Sequence, residues 1–205
     1  MSDHRGEWPQ LVSESLEISS FAIELSALSE RELPSLIEFL SRETWLPFRY
    51  ISVHAPSKEM EMPEPDLTQL LTELPRWIDA IVVHPDVIED PQNYAQLGRR
   101  LVIENMDDRK ADGRNASELA PFFEALPEAG LCFDVAHAGS VDETMAKGAD
   151  ILDSFTSRLR HVHLSSLDAD SHHVPLSPSD ADRFSPLLGR CRDVPWILEA
   201  PPPDG

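Results

Sequence analysis

Histidines and carboxylates end six short apolar runs of this sequence. They are His54, His84, Glu104, Asp134, His163 and Glu199, and His137 follows Asp134 by three residues. Imidazole nitrogens and carboxylate oxygens together suit zinc, manganese or iron(II), and the residues alone do not choose among these ions. Because the pattern recurs six times along the chain, it indicates a divalent metal centre more strongly than any one motif does.

The runs have the composition and spacing of strands in a parallel sheet. Each is rich in β-forming residues, and the run ends lie 20 to 36 residues apart, which leaves room for a helix between strands. The predicted strands are 18–25, 48–54, 80–84, 101–104, 131–134, 159–164 and 195–199. An open doubly wound sheet would gather ligands from one or two strand ends only. Since nearly every strand here ends in a candidate ligand, an α/β fold of the TIM-type (β/α) barrel class is favoured.

The period of two along a strand predicts which side chains face the barrel interior. His54 shares a face with Ser52 and Tyr50, and His163 shares one with His161. The opposite faces are apolar, as expected where helices cover them. They carry Leu101, Ile103, Leu131, Phe133, Trp196 and Leu198.

Capping patterns and helical spacing predict the intervening helices. Ser29 to Glu32 form a capping-box pattern before a helical apolar stripe, and Ser140 to Glu143 form another that we expect to open a helix to about Lys147. Further helices are predicted over 66–74, 93–97, 116–126 and 179–188. Residues 1–15 are expected to be a loose lead-in to a single domain that spans 1–205.

Composition limits the class of partner. The formal net charge is -20, and an acidic surface disfavours a large footprint on nucleic acid. The two cysteines do not form a disulfide framework, and no stretch approaches the roughly 20 apolar residues of a membrane span. We therefore expect a cytoplasmic protein with a small-molecule substrate and no membrane partner.

Six motifs carry a resemblance to a known family, and they extend over about residues 18–201. They are Ser-Val-His54-Ala-Pro, Val-Val-His84-Pro, Val-Ile-Glu104-Asn, Phe-Asp134-Val-Ala-His137-Ala, His-Val-His163-Leu-Ser and Ile-Leu-Glu199-Ala-Pro. The set resembles the xylose-isomerase-like TIM-barrel superfamily. That superfamily includes sugar and sugar-phosphate isomerases and epimerases, and zinc-dependent apurinic endonucleases.

The resemblance implies between one and three bound ions. Its isomerases and epimerases would hold a single ion with Glu104, Asp134, His163 and Glu199. Its endonuclease branch would add His54, His84, His137, Asp170 and His172 for a trinuclear zinc site. The loop between His163 and Asp170 is short, and His173 is a rival to His172.

The chain departs from a full barrel at both ends. It has few residues before the first clear strand and ends soon after the last one. We predict seven clear strands with a missing or irregular first unit and last helix, and an open seam. The N-terminal segment or a second copy in a homo-oligomer would cover that seam.

Simpler interpretations stand beside these. A strand-end histidine can be satisfied by a hydrogen bond, and a buried carboxylate can be offset by an arginine instead of a metal. His161 lies one layer deeper than His163, which is typical of a packed interior histidine. Asn105 could orient Glu104, bind substrate or make a structural hydrogen bond.

The leading functional hypothesis is a metal-dependent isomerase or epimerase of a small sugar or sugar phosphate. Glu104 and Glu199 would exchange protons with substrate, and His137 would hold a substrate oxygen. No arginine closely follows His163, although some ketose epimerases of this kind use one for substrate. The alternative is a multinuclear zinc phosphoester hydrolase of the apurinic endonuclease type. A third possibility is a truncated, catalytically silent barrel.

Overall fold

Seven parallel strands form one sheet in the computed structural model, which describes residues 6–200. They pair in chain order: β1 Ala22–Ser26, β2 Tyr50–His54, β3 Ala80–Val83, β4 Leu101–Glu104, β5 Gly130–Asp134, β6 Leu159–Leu164 and, after a hairpin, β9 Trp196–Leu198. The hairpin pairs β7 Ser166–Leu167 with β8 His173–Val174 in antiparallel fashion. The predicted TIM-type barrel with seven clear strands is confirmed.

Helices precede and follow the strands along the chain. They are α1 Trp8–Ile18, α2 Leu33–Arg42, α3 Glu64–Thr72, α4 Pro91–Tyr94, α5 Ala116–Ala125, α6 Val135–Val141, α7 Ala146–Phe155 and α8 Pro178–Leu188. Short 3₁₀ turns cover Pro85–Val87, Ala95–Arg100 and Thr156–Arg158. Several of the α-helices have proline in their first turn, where its missing N–H has no cost. Asn115 and Ser177 cap the N-termini of α5 and α8. None of these helices is long and apolar enough to cross a membrane.

The N-terminal prediction was wrong where the structure describes it. Residues 8–18 form α1 instead of a loose lead-in, and Trp8 is only 4% exposed. Leu11 and Val12 also pack against the core, so the helix is held by burial. Because α1 continues to Ile18, the first strand begins at Ala22 and not at residue 18. Residues 1–5 of the expected lead-in lie outside the described range, as do 201–205.

The predicted helix after Ser140 was also wrong. Residues 135–141 already form α6 directly after β5, because the Asp134 carboxylate accepts a hydrogen bond from the His137 amide at 2.7 Å and caps that helix. Ser140 lies near the end of α6. The next helix, α7, begins at Ala146, and Asp142 provides acceptors for its first turn.

The barrel has an apolar lower interior beneath a polar upper end. Small buried side chains fill the lower part, with Tyr50 packed against them; they are Ala80, Val82, Val102 and Cys132. The outward side chains Leu101, Ile103, Leu131 and Phe133 join the main core beneath the helices. The alternation inferred from the sequence therefore fits the central strands.

The outward face of β9 is different, and the expected helix cover was wrong there. Trp196 and Leu198 are 40% and 45% exposed, so the helices within residues 6–200 leave this face partly uncovered. No ladder joins β1 to β9 within the described range, which confirms the open seam. A groove of about 380 Å³ follows this seam, and Ile18, Phe21 and Trp196 contribute to its wall.

Candidate metal centre

The carboxyl ends of the strands bring the predicted ligands together. Glu104, Asp134 and His163 are the last or nearly last residues of β4, β5 and β6, and each is at most 1% exposed. Parallel pairing places Asp134 beside His163 across one ladder. Glu199 follows β9, and His54 and His84 end or follow β2 and β3. Eight described histidine and carboxylate residues thus meet at one mouth of the barrel: His54, His84, Glu104, Asp134, His137, His163, His173 and Glu199.

The first group consists of His54, His84 and Glu104. Glu104 Oε2 lies 3.3 Å from His54 Nε2 and 3.2 Å from His84 Nε2, and the two Nε2 atoms are 3.0 Å apart. His54 Nδ1 lies 2.8 Å from the Ala55 carbonyl oxygen, which can only accept. The proton of a neutral His54 is therefore on Nδ1, and the lone pair of Nε2 points at His84 and Glu104. That is the orientation of a metal-binding imidazole.

The second group uses the other oxygen of the same carboxylate. Glu104 Oε1 lies 3.2 Å from His163 Nδ1, and Glu199 Oε1 lies 3.3 Å from that nitrogen. Asp134 completes the group, since one ligand atom from each of the four residues lies within 4.8 Å of the others. Glu104 therefore belongs to both groups, one oxygen to each.

The third group consists of Asp134, His137 and His173. Asp134 Oδ2 lies 3.6 Å from His137 Nδ1, and the rings of His137 and His173 are 5.2 Å apart between centroids. His173 Nδ1 also lies 3.0 Å from Glu199 Oε2. His173 reaches the centre because it begins β8 of the hairpin.

The structure does not bring Asp170 and His172 to these groups. The His172 side chain is 71% exposed and lies 3.3 Å from the Asp168 carboxylate. Asp168, Asp170 and His172 form a separate, exposed cluster on the hairpin turn. Of the two rivals considered from the sequence, His173 is the one that lies at the centre, because pairing of β7 with β8 turns it inward.

The carboxylates and histidines of the candidate centre are buried close together and shift one another's pKa values. Burial opposes ionisation of Glu104 and Glu199, but His163 beside both carboxylates holds their pKa values well below the ordinary range. For Asp134, burial raises the pKa to about 7, and the neighbouring Glu199 and Glu104 charges act in the same direction. Asp134 Oδ2 is buried with no hydrogen-bond partner among residues 6–200. A cation at this position would supply the missing partner, so the donor set fits a divalent metal ion.

Asn105 has a structural position. Its side-chain amide donates to the Asp134 carbonyl and accepts from the Asp134 N–H, both at 2.9 Å. Its own carbonyl oxygen lies 3.0 Å from His137 Nδ1. Asn105 therefore fixes the ends of β4 and β5 and the orientation of His137. Of the three roles considered from the sequence, these contacts correspond to the structural hydrogen bond.

Reasoning from the sequence missed Glu24. Its side chain is 5% exposed inside the barrel, and Glu24 Oε1 lies 3.1 Å from His163 Nε2. Burial opposes its ionisation, but His163, His161 and His54 hold its pKa at about 2. Glu24 lies between Ile23 and Leu25 rather than at a strand end. The signal available was a single carboxylate between two apolar residues of a strand.

His161 is a packed interior histidine, as its depth suggested. It is fully buried, and its Nδ1 lies 2.7 Å from the Tyr50 hydroxyl oxygen. Burial lowers its pKa to about 4. His161 therefore lies below the candidate metal centre, where burial favours its neutral form.

The fold is similar to several solved structures. Endonuclease IV of Thermus thermophilus is 20% identical over 94% of this chain and 87% of its own, with a TM-score of 0.58. A D-psicose 3-epimerase, solved in the presence of D-fructose, is 13% identical over 98% and 80%, with a TM-score of 0.54. A protein of Anabaena variabilis described as a sugar phosphate isomerase/epimerase is 16% identical over 94% and 77%, with a TM-score of 0.57.

No family model and no curated protein sequence matches the chain. The similarity therefore lies in the arrangement of strands and helices, which is shared with an endonuclease and with epimerases alike. The chain therefore shares the TIM-type barrel fold of these proteins.

Proposed function

We propose that the chain is a divalent-metal-dependent enzyme whose multinuclear centre hydrolyses a phosphoester of a small, sugar-like molecule. The observation that carries this proposal is the shared carboxylate of Glu104. Its Oε2 faces His54 and His84, whereas its Oε1 faces His163. A centre built for one ion has no need of the two additional histidines.

The residues divide into three sets around the shared carboxylates. His54 and His84 would hold one ion with Glu104; Asp134, His163 and Glu199 would hold a second with Glu104; and His137 and His173 would hold a third with Asp134. Divalent ions held there would activate a water molecule for attack near neutral pH and would stabilise negative charge on a leaving oxygen. Buried apolar side chains, among them Val82 and Val102, fill part of the space beneath the site. Asn105 holds His137 in place.

Two cations at the rim support a small anionic substrate. Arg109 is bound by Asp107, whose carboxylate lies 3.9 Å from His137 Nε2. Lys110 is bound by Asp86, whose carboxylate lies 3.8 Å from His84 Nδ1. In each case a single carboxylate lies between the cation and a candidate metal-binding histidine. The net charge of -20 argues against nucleic acid as the substrate and favours a compact phosphate that these two cations can reach.

The test combines elemental analysis with a screen of sugar phosphates for both hydrolysis and isomerisation. In the H54A/H84A double variant we expect bound metal per chain to fall by at least one ion and hydrolysis to fall with it. The matched control is H172A, which removes an exposed histidine outside the centre and should change neither quantity. If the double variant kept its hydrolytic rate, the multinuclear mechanism would be excluded.

An isomerase or epimerase of a small sugar or sugar phosphate is the second candidate. The observation that favours it is that Glu104, Asp134, His163 and Glu199 form a complete group without the other histidines. Glu104 and Glu199 both lie close to His163 Nδ1, so a substrate beside that residue would have two carboxylates near it for proton transfer. This candidate predicts that H54A/H84A keeps its core ion and its activity. A wild type with less than one bound ion per chain would instead indicate a catalytically silent barrel.

A further inference from the structure

Glu24 is a buried carboxylate beneath the metal centre. Its Oε2 accepts a hydrogen bond from Ser52 Oγ at 2.7 Å, and its Oε1 lies 3.1 Å from His163 Nε2. It comes from β1, whose register places Glu24 opposite Ser52 and two residues below the strand end. A carboxylate with a 5% exposed side chain is costly to bury, so a specific partner is needed to retain it.

The two nitrogens of His163 have different surroundings. Nδ1 faces upward to Glu104 and Glu199, at 3.2 Å and 3.3 Å. Nε2 lies 3.1 Å from Glu24 Oε1, without the alignment of a hydrogen bond among the described residues. A neutral imidazole carries one N–H and one lone pair, so the nitrogen that keeps the proton decides which nitrogen can bind a metal.

We propose that Glu24 is a positioning residue for the metal centre: when an ion binds at Nδ1, Glu24 would accept the Nε2–H of His163 and so keep the Nδ1 lone pair directed at the ion. This inference rests on the proposed function only in requiring that His163 binds a metal, whatever reaction follows. A carboxylate behind a metal-binding histidine fixes the tautomer and the ring orientation and makes the imidazole a stronger ligand. Ser52 holds the carboxylate in turn, which gives a chain of contacts from β2 through β1 to β6.

The neighbouring pair Tyr50 and His161 offers a matched control. The Tyr50 hydroxyl bonds to His161 Nδ1 at 2.7 Å, in the same interior layer. The variant Y50F removes a buried polar contact from that layer but leaves the contact between Glu24 and His163 intact. A general disturbance of packing in the barrel interior would weaken metal binding in Y50F and E24Q alike. Loss of the proton acceptor would weaken it in E24Q alone.

The experiment measures cobalt(II) affinity by isothermal titration calorimetry on the full chain, with circular dichroism to verify folding. We expect E24Q to weaken binding by about 10- to 100-fold, and Y50F to stay near the wild type. Nitrogen-15 NMR of histidine-labelled, zinc-loaded protein should find the His163 proton on Nε2 in the wild type and in Y50F. In E24Q the amide can also donate, so the Nε2–H signal should weaken or disappear.

Each outcome decides the inference. Equal cobalt affinity in E24Q and wild type, with the same His163 tautomer, would overturn it while leaving the proposed function intact. Equal losses in E24Q and Y50F would overturn it as well, since the role of Glu24 would then be packing.

Other outcomes separate the inference from the proposed function. If the wild type bound metal but hydrolysed no phosphoester, the proposed function would fail, whereas a selective loss of affinity in E24Q would still support the role of Glu24. A wild type that bound no ion would refute both. Should E24Q fail to fold, the same comparison applies to E24D, which keeps the charge but withdraws the acceptor by one methylene.

Discussion

At the scale of single residues, some candidate metal ligands are recognisable from the sequence and others are not. Residues such as Glu104 and Asp134 end strongly apolar strands, so their type and place are both visible in the sequence. Glu24 lies mid-strand and acts through His163, and nothing in its spacing marks it. His173 could not be separated from His172 because the choice depends on which residue pairs with Leu167 in the hairpin.

Arg109 is the residue at which substrate charge can be tested. Its side chain is 52% exposed, and its guanidinium is held by Asp107 at 2.7 Å. A charge-assisted hydrogen bond contributes about 1.5–3 kcal/mol, which corresponds to roughly 10- to 100-fold in kcat/KM. For R109A we expect that loss on a phosphorylated substrate, mainly through a higher KM.

Steady-state kinetics with R114A as the control would check this expectation. Arg114 pairs with Glu118 on α5, so the control makes the same change of charge away from the ligand groups. Equal KM values for R109A and the wild type would show that Arg109 does not contact substrate.

At the scale of elements, strands were predictable to within a few residues because their apolar runs are continuous. The two-residue strands β7 and β8 were not predicted, since so short a segment has no periodicity. The capping-box pattern at Ser140 failed for a different reason. Asp134 starts α6 earlier and places Ser140 inside it, so tertiary position overrides the local motif.

Asp142 should make the stability of α7 depend on pH. Its carboxylate accepts hydrogen bonds from Thr144 and from the Lys147 amide, and these bonds lower its pKa to about 2. A carboxyl whose pKa is lowered by folding adds stability above its ordinary pKa of about 3.8, and loses it as the pH falls towards 2. We therefore expect D142N to have a lower urea midpoint than the wild type at about pH 6. That difference should shrink between about pH 4 and pH 2.

The matched control is D150N, which removes an exposed carboxylate from within α7. Urea titrations followed by circular dichroism would give the midpoints. A difference between D142N and wild type that stayed constant across this pH range would contradict the linkage.

At the scale of the whole molecule, the open seam leaves apolar surface exposed. Ile18 and Phe21 are 56% and 51% exposed on one side, and Trp196 and Leu198 are 40% and 45% exposed on the other. The homo-oligomer expected from the sequence stays a prediction, and this surface supports it. Because each copy carries a net charge of -20, association should strengthen as salt screens the repulsion.

Sedimentation velocity at low and high salt would measure this association. We expect the F21S/L198S variant to sediment as a monomer under conditions in which the wild type associates. The control W45S removes a 64% exposed tryptophan outside the seam and should behave as the wild type does. A wild type that remained monomeric at high salt would refute the prediction.

The seam also sets how firmly each part of the centre is held. Glu24 lies on β1 and Glu199 follows β9, and each of these strands pairs on one side only within the described range, whereas Glu104 and Asp134 lie mid-sheet. Amide protons of edge strands exchange with solvent through smaller openings than those of central strands. An ion held jointly by Glu199 and Glu104 would tie the last strand to the fourth across the barrel mouth. Metal loading should therefore slow exchange far more in β9 than in β4 or β5, because the bound ion would restrain a strand that the sheet pairs on one side only.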